Sequence, residues 1–126
     1  MRQAVFTEKG VTPGGPYSQV VILNGVAYVS SQGPLVPGTS TVPGTFREQA
    51  QQVFENVGIL LTASGSSFEQ VVKVGVFLAD LKYFAEMNEV YKQFFKPPYP
   101  ARTTIQAGLS GEMLIVVDCI AEVSAK

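Results

Sequence analysis

Residues 18–31, SQVVILNGVAYVSS, contain two apolar, β-branched segments on either side of the dipeptide Asn24-Gly25. Asn-Gly is strongly preferred in the two-residue turns of β-hairpins, because both turn positions need a positive φ. The pattern predicts a hairpin with strands over 18–23 and 26–31. This hairpin decides the fold class, since the later elements must extend an antiparallel sheet or pack on it.

A long helix is predicted after the hairpin and a loop rich in Pro, Gly, Ser and Thr over 33–44. Thr45 and Glu48 have the spacing of a capping box, in which two side chains bind backbone N–H groups at the helix start. Gly65 marks the end of the helix. Seven apolar side chains within these limits recur at helical spacing and form one stripe: Phe46, Ala50, Val53, Phe54, Val57, Leu60 and Leu61.

The second half of the chain predicts one more helix and three more strands. Asp80 is the expected N-cap of the helix, whose apolar face contains Phe84, Met87, Tyr91 and Phe94. The expected elements are a buried strand over 71–79, the helix over 81–95, and strands over 101–107 and 113–123.

The element order is thus β-β-α-β-α-β-β, with a further short strand expected over 2–6. It predicts an α+β fold, a single domain over 1–126, with two helices packed on one face of a mixed sheet. The strand over 113–123 is apolar at nearly every position, and such a strand must be covered on both faces. Two helices cover only one face, so we expect a homotrimer that buries the other.

Composition and charge argue against several classes of function. The net charge is −1 and the nine cationic residues are scattered, so no basic stripe points to a nucleic-acid partner. No apolar run approaches the roughly 18 residues of a membrane-spanning helix, and the first ten residues contain no apolar signal segment. A single cysteine, Cys119, forms neither an internal disulfide nor a Cys-x-x-Cys site, which fits a cytoplasmic protein.

The residues that are absent narrow the chemistry. The chain contains no histidine, which removes the usual general base and the commonest metal ligand. It also lacks both glycine-rich phosphate-binding motifs, so neither a cofactor nor a metal is expected. Catalysis, if present, must come from arginine, carboxylates, hydroxyls, backbone amides and water.

The segment 97–106, PPYPARTTIQ, places Arg102 directly after three prolines. Each proline fixes its own φ and restricts the residue before it, so the segment delivers Arg102 to a defined position. A guanidinium binds a carboxylate through two parallel hydrogen bonds, which favours a ligand-anchoring role. An ordinary surface or interface salt bridge is the alternative.

Three segments resemble the RidA (YjgF) family across nearly the whole chain: GGPYSQVVILNGVAYVSSQGP, SSFEQVVKVGVFLADLKYFAEMNEVY and PPYPARTTIQAGL…DCIAEV. The resemblance implies a chorismate-mutase-like fold in a homotrimer with a central β-barrel and ligand sites in the clefts between subunits. It implies hydrolysis of small enamines and imines, such as 2-aminoacrylate and 2-iminopropanoate, to 2-keto acids and ammonia. The family also carries a ribonuclease assignment, which the lack of histidine and of a basic stripe does not support.

The resemblance also implies the residues of the site. Arg102 would hold the substrate carboxylate with the backbone amide of Thr104, and Tyr17 would line the cleft, although a core or interface aromatic is the alternative for Tyr17. Ser30 lies where the family often has Ser-Gly-Gln-Ile, whereas this chain has Ser30-Ser31-Gln32-Gly33. Two residues of the second helix complete the set, Phe84 (with a core position as its alternative) and Asn88.

The last strand departs from the family pattern. Val116 takes the place of a glutamate that positions the attacking water in the family, and Asp118 takes the place of a second glutamate. Asp118 and Glu122 lie on the same strand face as Val116 by the period of two. Asp118 is a catalytic candidate only if the water lies two residues further along the strand, about 7 Å.

Three interpretations therefore remain open at the level of sequence. The first is a RidA-like deaminase of small 2-imino acids. The second is a relative specialised for another unstable imine or enamine intermediate. The third is a non-catalytic protein that binds a small carboxylate or keto acid in the same cleft.

Overall fold

The computed structural model of the chain describes residues 1–124 and contains one six-stranded sheet and two α-helices. The strands are β1 (Gln3–Val5), β2 (Val20–Leu23), β3 (Val26–Gln32), β4 (Val71–Leu78), β5 (Ala101–Gln106) and β6 (Ile115–Glu122). The helices are α1 (Phe46–Ala63) and α2 (Phe84–Phe94). Neither helix is long and apolar enough, within these residues, to cross a membrane.

The sheet has the strand order β1-β2-β3-β6-β4-β5. All neighbours are antiparallel except β4 and β5, which are parallel because α2 crosses over between them. The hairpin turn has positive φ at Asn24 (52°) and Gly25 (76°), as the sequence predicts. The α+β fold with a mixed sheet is confirmed.

Both helices pack on one face of the sheet. The predicted stripe of α1 is confirmed, since its seven side chains are at most 5% exposed. Alternate residues of the central strands face this stripe, and those of β6 are Ile115, Val117, Cys119 and Ala121. Thr45 caps α1 by accepting a hydrogen bond from the Glu48 N–H, and the Glu48 carboxylate accepts from the Thr45 hydroxyl.

The predicted second helix needs a correction at its start. Asp80 caps a short 3₁₀ helix, Leu81–Tyr83, and α2 begins only at Phe84. Phe84 was expected to share a buried face with Met87, but it is 42% exposed because it lies over Arg102 on the edge strand β5, where the sheet ends. The predicted strand limits differ from those observed by one or two residues. The reason is that the paired residues of a strand and its apolar segment do not begin and end at the same positions.

The other face of the sheet, which we call the open face, is not covered by any helix of residues 1–124. Neighbouring strands align its side chains in rows, and one apolar row contains Ile105, Phe77 and Val116. A second row contains Lys73, Ile120 and Tyr28, of which Tyr28 is 47% exposed. The predicted common face of Val116, Asp118 and Glu122 is confirmed by the alternating burial of β6.

Gly75 lies between these two rows and leaves room for a carboxylate. A Cβ atom added at Gly75 would overlap Oδ1 of Asp118, which faces it across β4 and β6. We expect Gly75→Ala to lower the free energy of unfolding by about 1–3 kcal/mol through overpacking. Denaturant unfolding at a fixed protein concentration measures this loss.

Two further variants separate overpacking from a general effect of alanine. Gly108→Ala is the matched control, because a Cβ there meets nothing within 4 Å. In an Asp118→Ala background Gly75→Ala should cost much less, since the overlapping carboxylate is gone. An equal loss in both backgrounds contradicts the assignment.

Candidate functional site

Arg102 is the second residue of the edge strand β5, directly after the proline-rich turn. Its register partner on β4 is Val74, a core residue that faces the helices. Partners in a ladder share a face of the sheet, so Arg102 also points toward the helices and is half-buried beside α2. The prolines before Arg102 restrict the backbone that leads to this position.

Aromatic side chains hold the Arg102 guanidinium. Its central carbon lies 4.7 Å from the ring centre of Tyr91 and 5.7 Å from that of Phe84. Its Nη1 makes a weak contact with the Met87 sulfur, at 3.9 Å. The guanidinium also approaches the Tyr91 hydroxyl closely enough to oppose, by hydrogen bonding, the rise that burial causes in the pKa of that phenol. No carboxylate of this part of the chain pairs with it, whereas Arg47 pairs with two glutamates of α2. An ion pair inside the chain, one alternative for Arg102, is therefore absent from the described residues.

A pocket of about 420 Å³ opens beside this guanidinium and is called here the Arg102 pocket. Its wall contains two cations and no acidic side chain, which gives it a positive character. Its lining residues are Asn88, Tyr91, Lys92, Tyr99, Pro100 and Arg102. The structure thus brings the predicted site residues Asn88 and Arg102 to one pocket, with Phe84 against the same guanidinium.

Thr104 lies two residues beyond Arg102 and faces the same side of the sheet. The N–H of Ala107 donates to the Leu78 carbonyl at 2.9 Å, across β4 and β5. Because ladder hydrogen bonds alternate along a strand, the N–H groups of Arg102 and Thr104 point to the free edge of β5. The Thr104 amide is therefore available to a ligand, as the resemblance implies.

Tyr91 is a pocket residue that the sequence interpretation assigned only to the apolar face of α2. Its side chain is 4% exposed, and burial raises the pKa of its phenol while the nearby Arg102 charge opposes that rise. The sequence contained one signal for this role, since Tyr91 follows Asn88 by three residues and so lies on the neighbouring helix face.

A second group of predicted residues lies elsewhere. Tyr17, 52% exposed, accepts a hydrogen bond from the Gly14 N–H at 3.2 Å. It lines a separate groove with Val116, on the open-face side of β6. This Tyr17 groove, also about 420 Å³, includes Ser31, Gln32, Gly33 and Met113. Val116, where the resemblance implies a glutamate, therefore faces the same groove as Tyr17.

Ser30 is already engaged within the chain, because its hydroxyl donates to the Ser18 carbonyl at 2.6 Å. A β-bulge occurs here, since β3 has two residues, Ser30 and Ser31, opposite the single residue Asp118 of β6. Ser31, not Ser30, lines the Tyr17 groove. Ser30 was a candidate because of its place in the family resemblance, and the residue pattern alone does not reveal the bulge that follows Val29.

Asp118 projects from the open face over Gly75, with the Ser31 hydroxyl 3.5 Å from its Oδ2. It is not among the residues that line the Arg102 pocket or the Tyr17 groove. Burial and, to a lesser extent, the Asp118 charge raise the pKa of the neighbouring Cys119 to about 12, so this thiol stays protonated and unreactive. Within residues 1–124 no three His, Cys, Asp or Glu side chains are grouped as a metal site.

The predicted site residues thus form two groups within one copy of the chain. Arg102, Thr104, Phe84 and Asn88 lie at the helix side of the edge strand. Tyr17 and Val116 line a groove on the other face, and Asp118 projects from that face. A single copy does not bring the two groups together.

Comparisons with known proteins agree on one group of relatives. A family model described as Endoribonuclease L-PSP matches residues 7–123. The 2-iminobutanoate/2-iminopropanoate deaminase of Bos taurus is 40% identical over 107 residues, which cover 84% of this chain and 78% of the bovine protein.

Two solved structures have nearly the same fold. RidA from the Antarctic bacterium Psychrobacter has a TM-score of 0.92 at 36% identity, covering 96% of this chain and 99% of its own. TdcF of E. coli, solved with bound serine, has a TM-score of 0.90 at 35% identity, covering 97% and 99%.

Proposed function

This chain belongs to the RidA family, and from that premise we propose that it hydrolyses small enamines and imines that carry a carboxylate. The substrates would be of the type of 2-aminoacrylate and 2-iminopropanoate, and the products a 2-keto acid and ammonia. Relatives about 40% identical are named as deaminases of this chemistry, which supports the reaction class.

The observation that carries the proposal is the uncommitted guanidinium of Arg102. It is half-buried between two aromatic rings, next to a second cation, Lys92, in a pocket with no acidic wall. A buried cation without a partner is costly, so such an arrangement favours binding of an anion. A carboxylate fits, because its two oxygens match the two parallel donors of the guanidinium.

The proposed reaction follows from a carboxylate fixed at this point. The guanidinium of Arg102 and the Thr104 N–H hold the carboxylate. The position of the C=N carbon, which is bonded to the carboxylate carbon, is thereby fixed as well. An enamine first becomes the imine by taking up a proton at its β-carbon and losing one from nitrogen. Water then adds to the C=N carbon, the π electrons move to nitrogen, and the proton that the water loses is transferred to nitrogen. The resulting carbinolamine loses ammonia and leaves the 2-keto acid. The chain contributes mainly by fixing the substrate and orienting it toward the water.

The open face supports a homotrimer, in which other copies would cover its apolar rows. Ile105 (44%) and Tyr28 (47%) are exposed there, and no strand of residues 1–124 pairs with the outer edge of β5. We expect light scattering to give three times the chain mass at micromolar concentration. A monomer under these conditions contradicts the proposal. In the trimer, the Arg102 pocket of one copy would meet the Tyr17 groove of the next.

Val116 supports a second candidate function. Valine neither accepts nor donates a proton, so the groove beside Tyr17 lacks the carboxylate that would activate water. A pocket with an anchor and no base fits a protein specialised for another, more reactive intermediate, or one that only binds small carboxylates.

The assay that tests the proposed reaction measures 2-keto acid and ammonia released from enzymatically generated 2-aminoacrylate. With the protein present, both products should form faster than by spontaneous hydrolysis, in equal amounts. Rates equal to the spontaneous ones, with carboxylate binding retained, would favour the second candidate.

A further inference from the structure

Two buried side-chain oxygens within residues 1–124 meet no partner at full hydrogen-bond geometry, Tyr91 Oη and Thr104 Oγ1. Burial raises the phenol pKa, and the Arg102 guanidinium comes near Tyr91 Oη and opposes that rise in part by hydrogen bonding, but without that geometry. Other buried polar side chains in this part of the chain are bonded to the backbone, as Gln19, Gln49 and Asn56 are. Buried hydroxyls without a partner cost stability, and each one in a folded protein calls for an explanation. Tyr91 belongs to α2, and Thr104 lies on the face of β5 that Arg102 shares and that is turned toward α2.

Core packing does not explain the Tyr91 hydroxyl. The ring stacks on Phe95 at 4.4 Å and meets the Phe54 ring edge-on at 5.8 Å, and both contacts use the ring alone. Three phenylalanines fill the same cluster without any hydroxyl: Phe54, Phe94 and Phe95. A phenylalanine at position 91 would keep the packing and the contact with the Arg102 guanidinium, and would leave no unpaired oxygen.

The Tyr91 hydroxyl lies next to the Arg102 guanidinium, which acts on the phenol by its charge and by a hydrogen-bond contact. Tyr91 lines the Arg102 pocket, and the Arg102 charge acts on the pKa of the phenol, which burial nonetheless raises. The phenol is therefore a neutral hydrogen-bond donor at physiological pH. Thr104 supplies a second hydroxyl, on the same side of β5 as Arg102.

We propose that the hydroxyls of Tyr91 and Thr104 donate hydrogen bonds to the carboxylate that Arg102 holds, which makes Tyr91 a further ligand-binding residue. A carboxylate offers about four acceptor positions, of which the guanidinium fork uses two and the Thr104 N–H a third. The Tyr91 hydroxyl would take the fourth, and the Thr104 hydroxyl would share one with the Thr104 N–H. A ligand with one acceptor oxygen cannot accept all of these hydrogen bonds. This inference rests on the proposed function. It adds that the site prefers a carboxylate to a ligand with only one acceptor oxygen.

The test compares Tyr91→Phe and Thr104→Val with the matched control Tyr83→Phe. Tyr83 stacks on Phe46 at 4.3 Å and is not part of the Arg102 pocket. Calorimetry with 2-oxobutanoate should show affinity about 10-fold lower for Tyr91→Phe, because a hydrogen bond to a charged group is lost. Tyr83→Phe should bind as the wild type does. Without ligand, Tyr91→Phe should resist denaturant at least as well as the wild type, since an unpaired hydroxyl is removed.

The outcomes distinguish this inference from the proposed function. Wild-type affinity in both Tyr91→Phe and Thr104→Val, with binding lost in Arg102→Ala, overturns the hydroxyl contacts alone. A Tyr91→Phe protein that is less stable and binds normally overturns them too, because the hydroxyl then serves the fold. Absence of 2-oxobutanoate binding to the wild type contradicts the proposed function itself.

Discussion

Replacing Arg102 by alanine is expected to abolish binding of 2-oxobutanoate and of benzoate while the chain stays folded. The guanidinium forms no ion pair within residues 1–124, so its removal leaves no carboxylate there unpaired. Loss of a desolvated charge pair costs on the order of 2–5 kcal/mol, which is at least ~30-fold in affinity. Titration calorimetry measures the affinity, and thermal unfolding confirms that the fold is retained.

Two further arginine variants sharpen this expectation. Arg102→Lys should be nearly as damaging, because an ammonium group keeps the charge but lacks the planar fork. Arg47→Ala is the matched control, since Arg47 is exposed and pairs with Glu86 and Glu89 outside the pocket. It should leave the affinity unchanged. Unchanged affinity of Arg102→Ala for these carboxylates would instead indicate that Arg102 forms a salt bridge at an interface.

Substitution of Val116 by glutamate is expected to accelerate the hydrolysis of 2-iminopropanoate. The side chain is half-buried and faces the Tyr17 groove, so a carboxylate there could reach water in that groove. General-base assistance contributes roughly 10²–10⁴-fold when its geometry is right. A grafted residue should recover the lower part, on the order of 10–100-fold. Release of 2-keto acid under initial-rate conditions measures the gain.

Val116→Gln is the control for this substitution, because glutamine has the size of glutamate but no basic carboxylate. It should give no acceleration. Wild-type hydrolysis already as fast as that of typical family members would contradict the role assigned to Val116 and direct attention to Asp118 or Glu122. Inactivity of both wild type and Val116→Glu, with carboxylates still bound, would favour the specialised or binding-only function.

The fold could be predicted from the sequence where a local residue pattern and the observed burial agree. The Asn24-Gly25 turn and the stripe of α1 are local patterns, and both are observed. The start of α2 was misplaced because Asp80 caps a 3₁₀ turn and an α-helix equally well. The exposure of Phe84 depends on where the sheet ends, which periodicity within one helix does not encode.

The candidate site could be predicted from the sequence only in part. The prolines before Arg102 restrict the backbone locally, so its importance could be inferred from residues alone. The unpaired hydroxyl of Tyr91 was missed because the lack of a partner is a property of three-dimensional packing. The bulge that places Ser31, rather than Ser30, in the Tyr17 groove depends on pairing between β3 and β6, which are distant in sequence.

We propose a carboxylate site that is completed where the Arg102 pocket of one copy meets the Tyr17 groove of another. Arg102→Ala and Tyr17→Glu chains, co-expressed with different tags, test it through the number of 2-oxobutanoate sites per chain. Each variant alone should have none, because one lacks the anchor and the other places a negative charge against the ligand. Random mixing in a closed ring should restore about a quarter of the sites, those in which an intact Arg102 meets an intact Tyr17. No restored site in the mixed assemblies, or normal binding by the Tyr17→Glu protein alone, would contradict the account.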